Sequence, residues 1–154
     1  VGRTFIMPGQ QKRKQSVRQK LNAMSTEFKN KNVLIVDDSI VRGTTSKQIV
    51  QMAKFAGANK VFFTSAAPPV RFPHVYGINM PNREELIAHN RSIKDVAEKL
   101  EIDSLVYQSV DDLRKSIIAD TEIQDLEMCC FTGSYVTGNV SEEYLNWVES
   151  EYIS

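Results

Sequence analysis

The chain has 154 residues, 42% hydrophobic and 25% charged, which is typical of one soluble globular domain. Its 19 lysines and arginines balance its 19 acidic residues, so no net charge favours a nucleic-acid or anionic-membrane partner. The only cysteines, Cys129 and Cys130, are adjacent and predict no disulfide framework. No apolar run approaches the roughly 20 residues that span a bilayer. We therefore expect a reducing, cytoplasmic location without a membrane partner.

The first segment is basic and starts at Val1 rather than methionine, without a capping or turn signal, so we expect a piece of a longer protein. Within residues 9–31, Val17, Leu21 and Met24 recur at helical spacing, which predicts a short amphipathic helix. Two interpretations of its positive charge stay open. It is either a solvated helix face or a mobile loop that closes over an anionic ligand.

A βαβ unit is predicted next. Residues 33–36 are continuously apolar and β-branched, which predicts a strand buried on both faces of a parallel sheet. Apolar positions over 44–56 have helical spacing, and Gly57 follows as the terminating glycine. Residues 61–66 predict a second buried strand. The short connections favour a parallel arrangement of the two strands.

The second half of the chain contains further short elements. They are, in order, helices over 84–90 and 92–100, a strand over 104–108, a helix over 110–118, an irregular stretch over 119–140 and a terminal helix over 141–152. Ser92 and Asp95 form a predicted capping box. Tyr144, Trp147 and Tyr152 on the terminal helix predict packing into the core or against another subunit.

The chemically informative run is VLIVDDSIVRGTTS at 33–46. Asp37 and Asp38 directly follow the predicted strand, and ligands of open parallel sheets bind beyond the carboxyl ends of strands. Gly43 permits a close backbone approach, and the free N–H groups of the following helix favour a phosphate. Thr44 and Thr45 add hydroxyl donors, and one of the hydroxyl residues is expected to cap the helix when no ligand is bound. A phosphorylated sugar with Mg²⁺ suits this arrangement.

The alternative interpretation of this run is structural. Aspartates commonly follow strands in turns, and a hydroxyl residue commonly caps a helix. Two buried neighbouring aspartates would repel each other unless a metal or hydrogen-bond donors offset their charge, which favours the functional interpretation. The run lacks the Gly-Lys pair of a Walker A loop.

The motif at 33–45 resembles the phosphoribosyl pyrophosphate (PRPP) motif of type I phosphoribosyltransferases. The amino-acid sequence of this motif is most similar to that of the glutamine PRPP amidotransferase family. Similarity to that family also extends to flanking segments at 2–6, 17–22, 76–78, 85–88 and 130–133. The resemblance implies an α/β fold, namely the parallel-sheet, Rossmann-like core of a type I phosphoribosyltransferase with C-terminal helices.

The resemblance also implies residue roles. Asp37 and Asp38 would face the ribose hydroxyls and Mg²⁺. Arg3 and Lys20, in a flexible catalytic loop, would close on the pyrophosphate and exclude water. The remaining residues would hold the 5-phosphate: Ser39, Val41, Arg42, Gly43, Thr44 and Thr45.

The resemblance also implies that this chain contains only some of the domains of the family. Residues 1–118 would be the C-terminal half of the transferase domain, with the catalytic loop in 1–31, and 119–154 would be a C-terminal extension. The glutaminase domain and the first half of the transferase domain would lie upstream, outside this chain. The implied reaction transfers ammonia from glutamine to PRPP, giving 5-phosphoribosylamine, glutamate and pyrophosphate, as the first committed step of purine synthesis. We expect this segment alone to be inactive.

Further implications concern partners and metals. The family is inhibited by purine nucleotides such as AMP and GMP and often forms homo-oligomers. Some members carry an iron–sulfur cluster, whose ligand positions correspond here to His74, Gln124 and Glu127, while Cys130 corresponds to a non-ligand cysteine. Because these side chains are not thiolates, we expect no cluster. His74 is instead expected to be a surface or packing residue.

Two other functions stay open at this point. The chain could belong to a different type I phosphoribosyltransferase, such as a base salvage enzyme, although such enzymes have other loops at this motif. It could also be a non-catalytic module that binds nucleotides. The paired aspartates and the basic segment favour retained chemistry.

Overall fold

A three-stranded parallel sheet organises the molecule. The computed structural model describes residues 26–78 and 82–151. Its strands are β1 (Asn32–Asp37), β2 (Lys60–Ser65) and β3 (Ser104–Tyr107), in the order β1-β2-β3. The register pairs the last residues of all three strands, because Asp37 lies opposite Ser65 and Ser65 lies opposite Tyr107. The carboxyl ends therefore meet at one edge, and the predicted parallel α/β fold is confirmed.

Helices connect and follow the strands. They are α1 (Thr44–Phe55), α2 (Ile93–Leu100), α3 (Val110–Ile118), α4 (Cys129–Thr132) and α5 (Glu142–Glu151), with a 3-10 turn at Arg83–Glu85 before α2. None of the helices that the structure describes is long and apolar enough to cross a membrane.

Polar side chains start most of these helices, as their sequences predict. Ser92 accepts from the backbone N–H of Asp95 at the start of α2, and the Asp95 carboxylate accepts from Ser92, so the capping box is confirmed. Ser109 and Ser141 accept in the same way at the starts of α3 and α5. Gly57 follows α1 with a φ of 92°, the left-handed conformation that glycine adopts without strain.

The hydrophobic core lies on one face of the sheet. Val61, Phe63 and Leu105 alternate along β2 and β3 and are at most 8% exposed. Helices α1 and α2 cover them, and the loops add Ile40 and Ile87. The helical residues of this core are Val50 and Ala53 in α1 and Val96 and Leu100 in α2.

The prediction that the first strand is buried on both faces is wrong. Leu34 and Val36 are 61% and 68% exposed, and Val106 on β3 is 59% exposed. The register puts these side chains on the same face, opposite the core. Both α1 and α2 pack against the other face, and no described element covers this one. Part of the apolar run therefore lies on a sheet face that nothing within residues 26–78 and 82–151 covers.

One other prediction of local structure is wrong. Residues 84–90 do not form a helix, because Leu86 is extended after the 3-10 turn and Asn90 has a φ of 52°.

The aromatic residues of α5 that the structure describes do not pack into the core. Tyr144 and Trp147 are 41% and 58% exposed, whereas Leu145 takes the buried position. Their packing against another subunit, the other alternative, stays a prediction.

The stretch predicted as irregular between α3 and α5 contains the four-residue helix α4. Several predictions fall on residues outside the described parts. They are the roles of Arg3 and Lys20, most of the predicted basic helix, and the packing of Tyr152.

Candidate functional site

The predicted aspartate pair lies at the carboxyl edge of the sheet. Asp37 is the last residue of β1 and is half-buried, and Asp38 is exposed. Their carbonyl oxygens accept hydrogen bonds of 3.0 and 2.8 Å from the N–H groups of Ala66 and Ala67. The backbone pairing of β1 with β2 therefore continues past the strand ends and fixes the main chain of both aspartates.

The two carboxylates are held by local hydrogen bonds. Asp37 Oδ1 accepts from the backbone N–H of Asp38 at 3.0 Å, and Asp38 Oδ1 accepts from Ser39 Oγ at 2.9 Å. Because Asp38 is exposed, water screens the repulsion between the two charges. The repulsion expected between two buried aspartates therefore does not arise here, because the pair is not fully buried. What the structure does support is a pair of hard oxygen ligands that a cation can reach.

Residues 39–43, which the sequence predicts to bind a phosphate and which are called the phosphate loop from here on, lead from this pair into α1. Gly43 is the N-cap residue, with φ 76° and ψ −5°, and no side chain accepts a hydrogen bond at this helix start. The expectation of a hydroxyl cap is thus wrong, since Thr44 and Thr45 lie inside the helix and are exposed. An uncapped helix start presents backbone N–H donors and the positive end of the helix dipole, which together favour an anion.

Two independent features favour glycine at position 43. Its positive φ is a conformation that residues with a Cβ adopt at a cost. In addition, a Cβ there would overlap Ile87 Cδ1 and lie 3.3 Å from Leu100 Cδ2. The turn into α1 is therefore packed directly onto core side chains, which fixes its position.

The segment 85–87 is hydrogen-bonded to the phosphate loop and holds it in place. The backbone N–H of Ile87 donates a 2.9 Å hydrogen bond to the carbonyl of Val41, and Arg42 Nε donates to the Glu85 carboxylate. Sequence reasoning missed these contacts, because nothing in the spacing of distant residues shows which loop packs against which. Glu85 and Ile87 lay in a segment that was matched by resemblance and predicted to be helical over 84–90.

Cationic side chains line a cleft of about 490 Å³ between the phosphate loop, α1 and α2. Arg42 pairs with Glu85, and Lys47 pairs with Glu101 at 2.6 Å, which lowers the pKa of Glu101. Arg91 donates to the carbonyls of Leu86 and Ile87. These three cations are already partnered within the chain, so their positions serve the local structure.

Sequence comparisons identify the relatives of this chain. No family model matches it. It is 54% identical over 152 residues to the amidophosphoribosyltransferase of Haemophilus influenzae, and 59% identical over 150 residues to that of Pseudomonas aeruginosa. The chain is homologous to amidophosphoribosyltransferases. The alignments take in 98% and 97% of this chain but 30% of each relative, so it spans less than a third of their length.

Solved structures give the same result for the fold. Glutamine PRPP amidotransferase from B. subtilis, described as complexed with ADP and GMP, matches with a TM-score of 0.69 and 39% identity. That match covers 88% of this chain and 30% of the other. The allosteric regulatory enzyme of purine biosynthesis matches with a TM-score of 0.72 and 38% identity, over 97% of this chain and 32% of the other. The predicted resemblance and the type I phosphoribosyltransferase core are confirmed.

One cluster outside the phosphate loop has metal-ligating side chains. His74, Glu127 and Cys129 each place a ligand atom within 4.8 Å of the others. His74 and Glu127 are two of the positions that the resemblance predicts to correspond to iron–sulfur ligands, and the structure brings His74 Nε2 to 3.2 Å from Glu127 Oε2.

The hydrogen bonds of this cluster do not suit metal ligation. His74 Nδ1 accepts from the backbone N–H of Tyr76, so the neutral ring carries its proton on Nε2, the atom that faces Glu127. Burial and the neighbouring Glu127 carboxylate raise the pKa of Cys129 to about 12, so its thiol is protonated at neutral pH. Hydrogen bonds from His74 and from the Cys129 backbone to Glu127 hold the cluster together. The absence of an iron–sulfur cluster stays a prediction.

Proposed function

We propose that this chain forms the ribose 5-phosphate and Mg²⁺ side of the PRPP site in an amidophosphoribosyltransferase. The observation that carries the proposal is the uncapped start of α1 at Gly43, next to two accessible carboxylates at the sheet edge. This arrangement lies in a chain that is 54% and 59% identical to two bacterial amidophosphoribosyltransferases over nearly its whole length.

The 5-phosphate binds at the phosphate loop in this proposal. Backbone N–H groups from Val41 to Thr45 and the hydroxyl of Ser39 donate to its oxygens. The side chain of Arg42 stays paired with Glu85, so its contribution to the phosphate is through the backbone. A cradle of backbone donors is rigid before the ligand arrives, which reduces the entropy lost on binding.

Asp37 and Asp38 bind the ribose diol and hold Mg²⁺. Carboxylate oxygens accept hydrogen bonds from the two hydroxyls and are the hard ligands that Mg²⁺ prefers. The ion, when bound, neutralises negative charge that develops on the pyrophosphate leaving group. The carboxylates themselves oppose the positive charge that develops on the sugar as the anomeric bond breaks, much as they do in glycosidases.

The complete reaction requires parts outside the described residues. We propose that the segment 1–31 contributes Arg3 and Lys20 to the pyrophosphate and excludes water, which competes with ammonia for the sugar. Residues 1–118 then form the C-terminal half of the transferase domain, and 119–154 an extension. A glutaminase domain supplies ammonia from glutamine, and the 154-residue chain alone makes no phosphoribosylamine.

We also propose which nucleotides the chain binds, where the protein is located and how it assembles. The B. subtilis relative is described as complexed with ADP and GMP, which supports purine nucleotides, including AMP and GMP, as ligands of this chain. A nucleotide 5-phosphate offers the phosphate loop the same chemistry as ribose 5-phosphate does. We place the protein in the cytoplasm as a homo-oligomer without nucleic-acid partners.

Calorimetric titration of the chain with ribose 5-phosphate, with and without Mg²⁺, tests the proposal. We expect binding that Mg²⁺ strengthens, together with binding of AMP and GMP. Nucleotide binding without any Mg²⁺-dependent sugar-phosphate binding would favour a non-catalytic nucleotide module. The absence of both would contradict the proposal.

A further inference from the structure

Arg83 joins the C-terminal helix to the segment behind the phosphate loop. Its backbone N–H and its Nε both donate to Glu149 Oε1 at 2.9 Å, and its Nη2 donates to Glu149 Oε2 at 3.1 Å. The Arg83 guanidinium also contacts Glu142 and Asn146 on α5. The side chains of Arg83 and Glu149 are only 17% and 19% exposed, so this pair is shielded from water.

Shielding and multiple hydrogen bonds distinguish this pair from ordinary surface ion pairs. Exposed pairs contribute little to stability, whereas charge-assisted bonds with two or more donors are stronger and fix geometry. The contacts with Glu149 and Glu142 raise the pKa of Arg83 above its ordinary value. Because one of the bonds comes from the backbone N–H of Arg83, α5 holds the main chain of the 3-10 turn as well as its side chain.

The 3-10 turn passes this constraint to the phosphate loop. The carbonyl of Arg83 accepts from the N–H of Leu86 at 3.1 Å, which closes the turn. At its far end, Glu85 pairs with Arg42 and the N–H of Ile87 donates to the carbonyl of Val41. The turn is thus bonded to α5 at one end and to the phosphate loop at the other.

We propose that Arg83 is a positioning residue for the sugar-phosphate site, through which α5 fixes the phosphate loop. Arg83 does not touch the ligand. Its bonds to α5 hold segment 83–87, and that segment holds the backbone donors of the loop in place. The dependence of ligand affinity on α5 rests on the proposed function, but the mechanical link between α5 and the loop does not.

Hydrogen exchange and calorimetry on the 154-residue chain test this inference. Glu149→Gln keeps the shape of the side chain and removes its charge. The matched control is Glu143→Gln on the same helix, because Glu143 is exposed and lies outside the Arg83 contacts. Asn146→Ala, which removes one bond to Arg83, replaces Glu149→Gln if that variant does not fold.

We expect Glu149→Gln to accelerate exchange of the Ile87 amide about tenfold, the factor that corresponds to ~1.4 kcal/mol, and to weaken ribose 5-phosphate binding by a similar factor. Amides of β2, which are in the core, should exchange as before. Glu143→Gln should change neither reading more than about twofold.

Unchanged exchange at Ile87, or equal acceleration at Ile87 and in β2, would overturn the inference, because α5 would then act only on general stability. If the unmodified chain binds no ribose 5-phosphate, the proposed function fails, and exchange at Ile87 still decides whether α5 holds the loop. Faster Ile87 exchange with unchanged affinity would overturn the claim that α5 sets ligand binding.

Discussion

The backbone N–H of Ile87 donates to the carbonyl of Val41, and the Ile87 side chain fills the space beneath Gly43. One residue therefore fixes both the backbone of the phosphate loop and its junction with α1. This relationship explains how a loop of few residues can keep its donors in place without a side-chain cap.

Gly43→Ala should destabilise the chain by more than backbone strain alone. Strain from a positive φ costs about 1–2 kcal/mol, and the added Cβ also overlaps Ile87. We expect a loss of about 3 kcal/mol in the free energy of unfolding, because overpacking typically adds 1–3 kcal/mol. Urea denaturation followed by circular dichroism measures this loss.

Gly138→Ala is the control for Gly43→Ala. Gly138 has a similar φ of 71°, but a Cβ there meets nothing within 4 Å. It should lose only the strain component, about 1–2 kcal/mol. Equal losses in the two variants would show that Ile87 moves aside easily and that the close packing beneath Gly43 is unimportant.

The ion pair between Arg83 and Glu149 predicts a pH dependence of stability. Burial alone would raise the pKa of Glu149, but the hydrogen bonds and charge of Arg83 outweigh burial and lower it below its ordinary 4.5. A lowered pKa means that the ionised group stabilises the fold above pH 4.5 and that this contribution is lost as the pH falls through the folded-state pKa.

Glu149→Gln should therefore be less stable than the unmodified chain at about pH 7, and the difference should shrink toward about pH 3, because the Glu149 charge is lost as the pH falls through its lowered pKa. Urea denaturation at the two pH values measures it, with Glu143→Gln as the control that shows little change. A difference that stays constant over this range would contradict a stabilising role for the Glu149 charge.

The two cysteines should differ in reactivity. Cys129 is fully buried, and burial raises its pKa to about 12, whereas Cys130 is half-buried. We expect a thiol reagent such as Ellman's reagent to modify Cys130 first at neutral pH, because only an accessible thiolate reacts.

In Cys130→Ala, we expect Cys129 to stay unmodified until denaturant is added.

Addition of Zn²⁺ should leave the thermal midpoint of the unmodified chain unchanged, since the hydrogen bonds of His74 occupy its ring nitrogens. Fast labelling of Cys129, or a midpoint raised by Zn²⁺, would indicate that the thiol is a thiolate available for ligation.

Tyr107 should tolerate loss of its hydroxyl. Its buried oxygen has no hydrogen-bond partner among the described residues, and burial raises its pKa to about 12. A buried polar group without a partner costs about 1–3 kcal/mol, so Tyr107→Phe should leave the free energy of unfolding unchanged or raise it.

Tyr135→Phe is the matched comparison for Tyr107→Phe, because the Tyr135 hydroxyl donates to the Pro73 carbonyl at 2.8 Å. Loss of that bond should cost about 1 kcal/mol. A larger loss for Tyr107→Phe than for Tyr135→Phe in thermal denaturation would show that the Tyr107 hydroxyl has a partner after all.

Local sequence signals predicted the elements that carry the site. The apolar run before Asp37, the glycine at 43 and the Ser92 capping box act within a few residues, so their physical effects are visible in the sequence. Which side of β1 is covered was not predictable, because the exposure of Leu34 depends on where distant helices pack. The helix pattern over 84–90 failed for the same reason, since bonds to α5 and to the phosphate loop outweigh local propensity there.

Long-range contacts decide the rest of the site. The bonds from Ile87 to Val41 and from Arg83 to Glu149 join segments that no spacing rule connects. The hydroxyl cap predicted for α1 failed because Gly43 occupies that position with a backbone conformation that its packing requires.

The most direct test of the site uses the double variant Asp37→Asn with Asp38→Asn. Its control is Asp111→Asn with Asp112→Asn, an adjacent aspartate pair at the start of α3 with the same change of charge. Calorimetric titration with ribose 5-phosphate and Mg²⁺ measures the affinity of both variants, and circular dichroism checks that each is folded. We predict that the double variant at β1 loses Mg²⁺-dependent binding while the control binds like the unmodified chain. Equal affinity in all three proteins would contradict the assignment of Asp37 and Asp38 to the ribose and the metal.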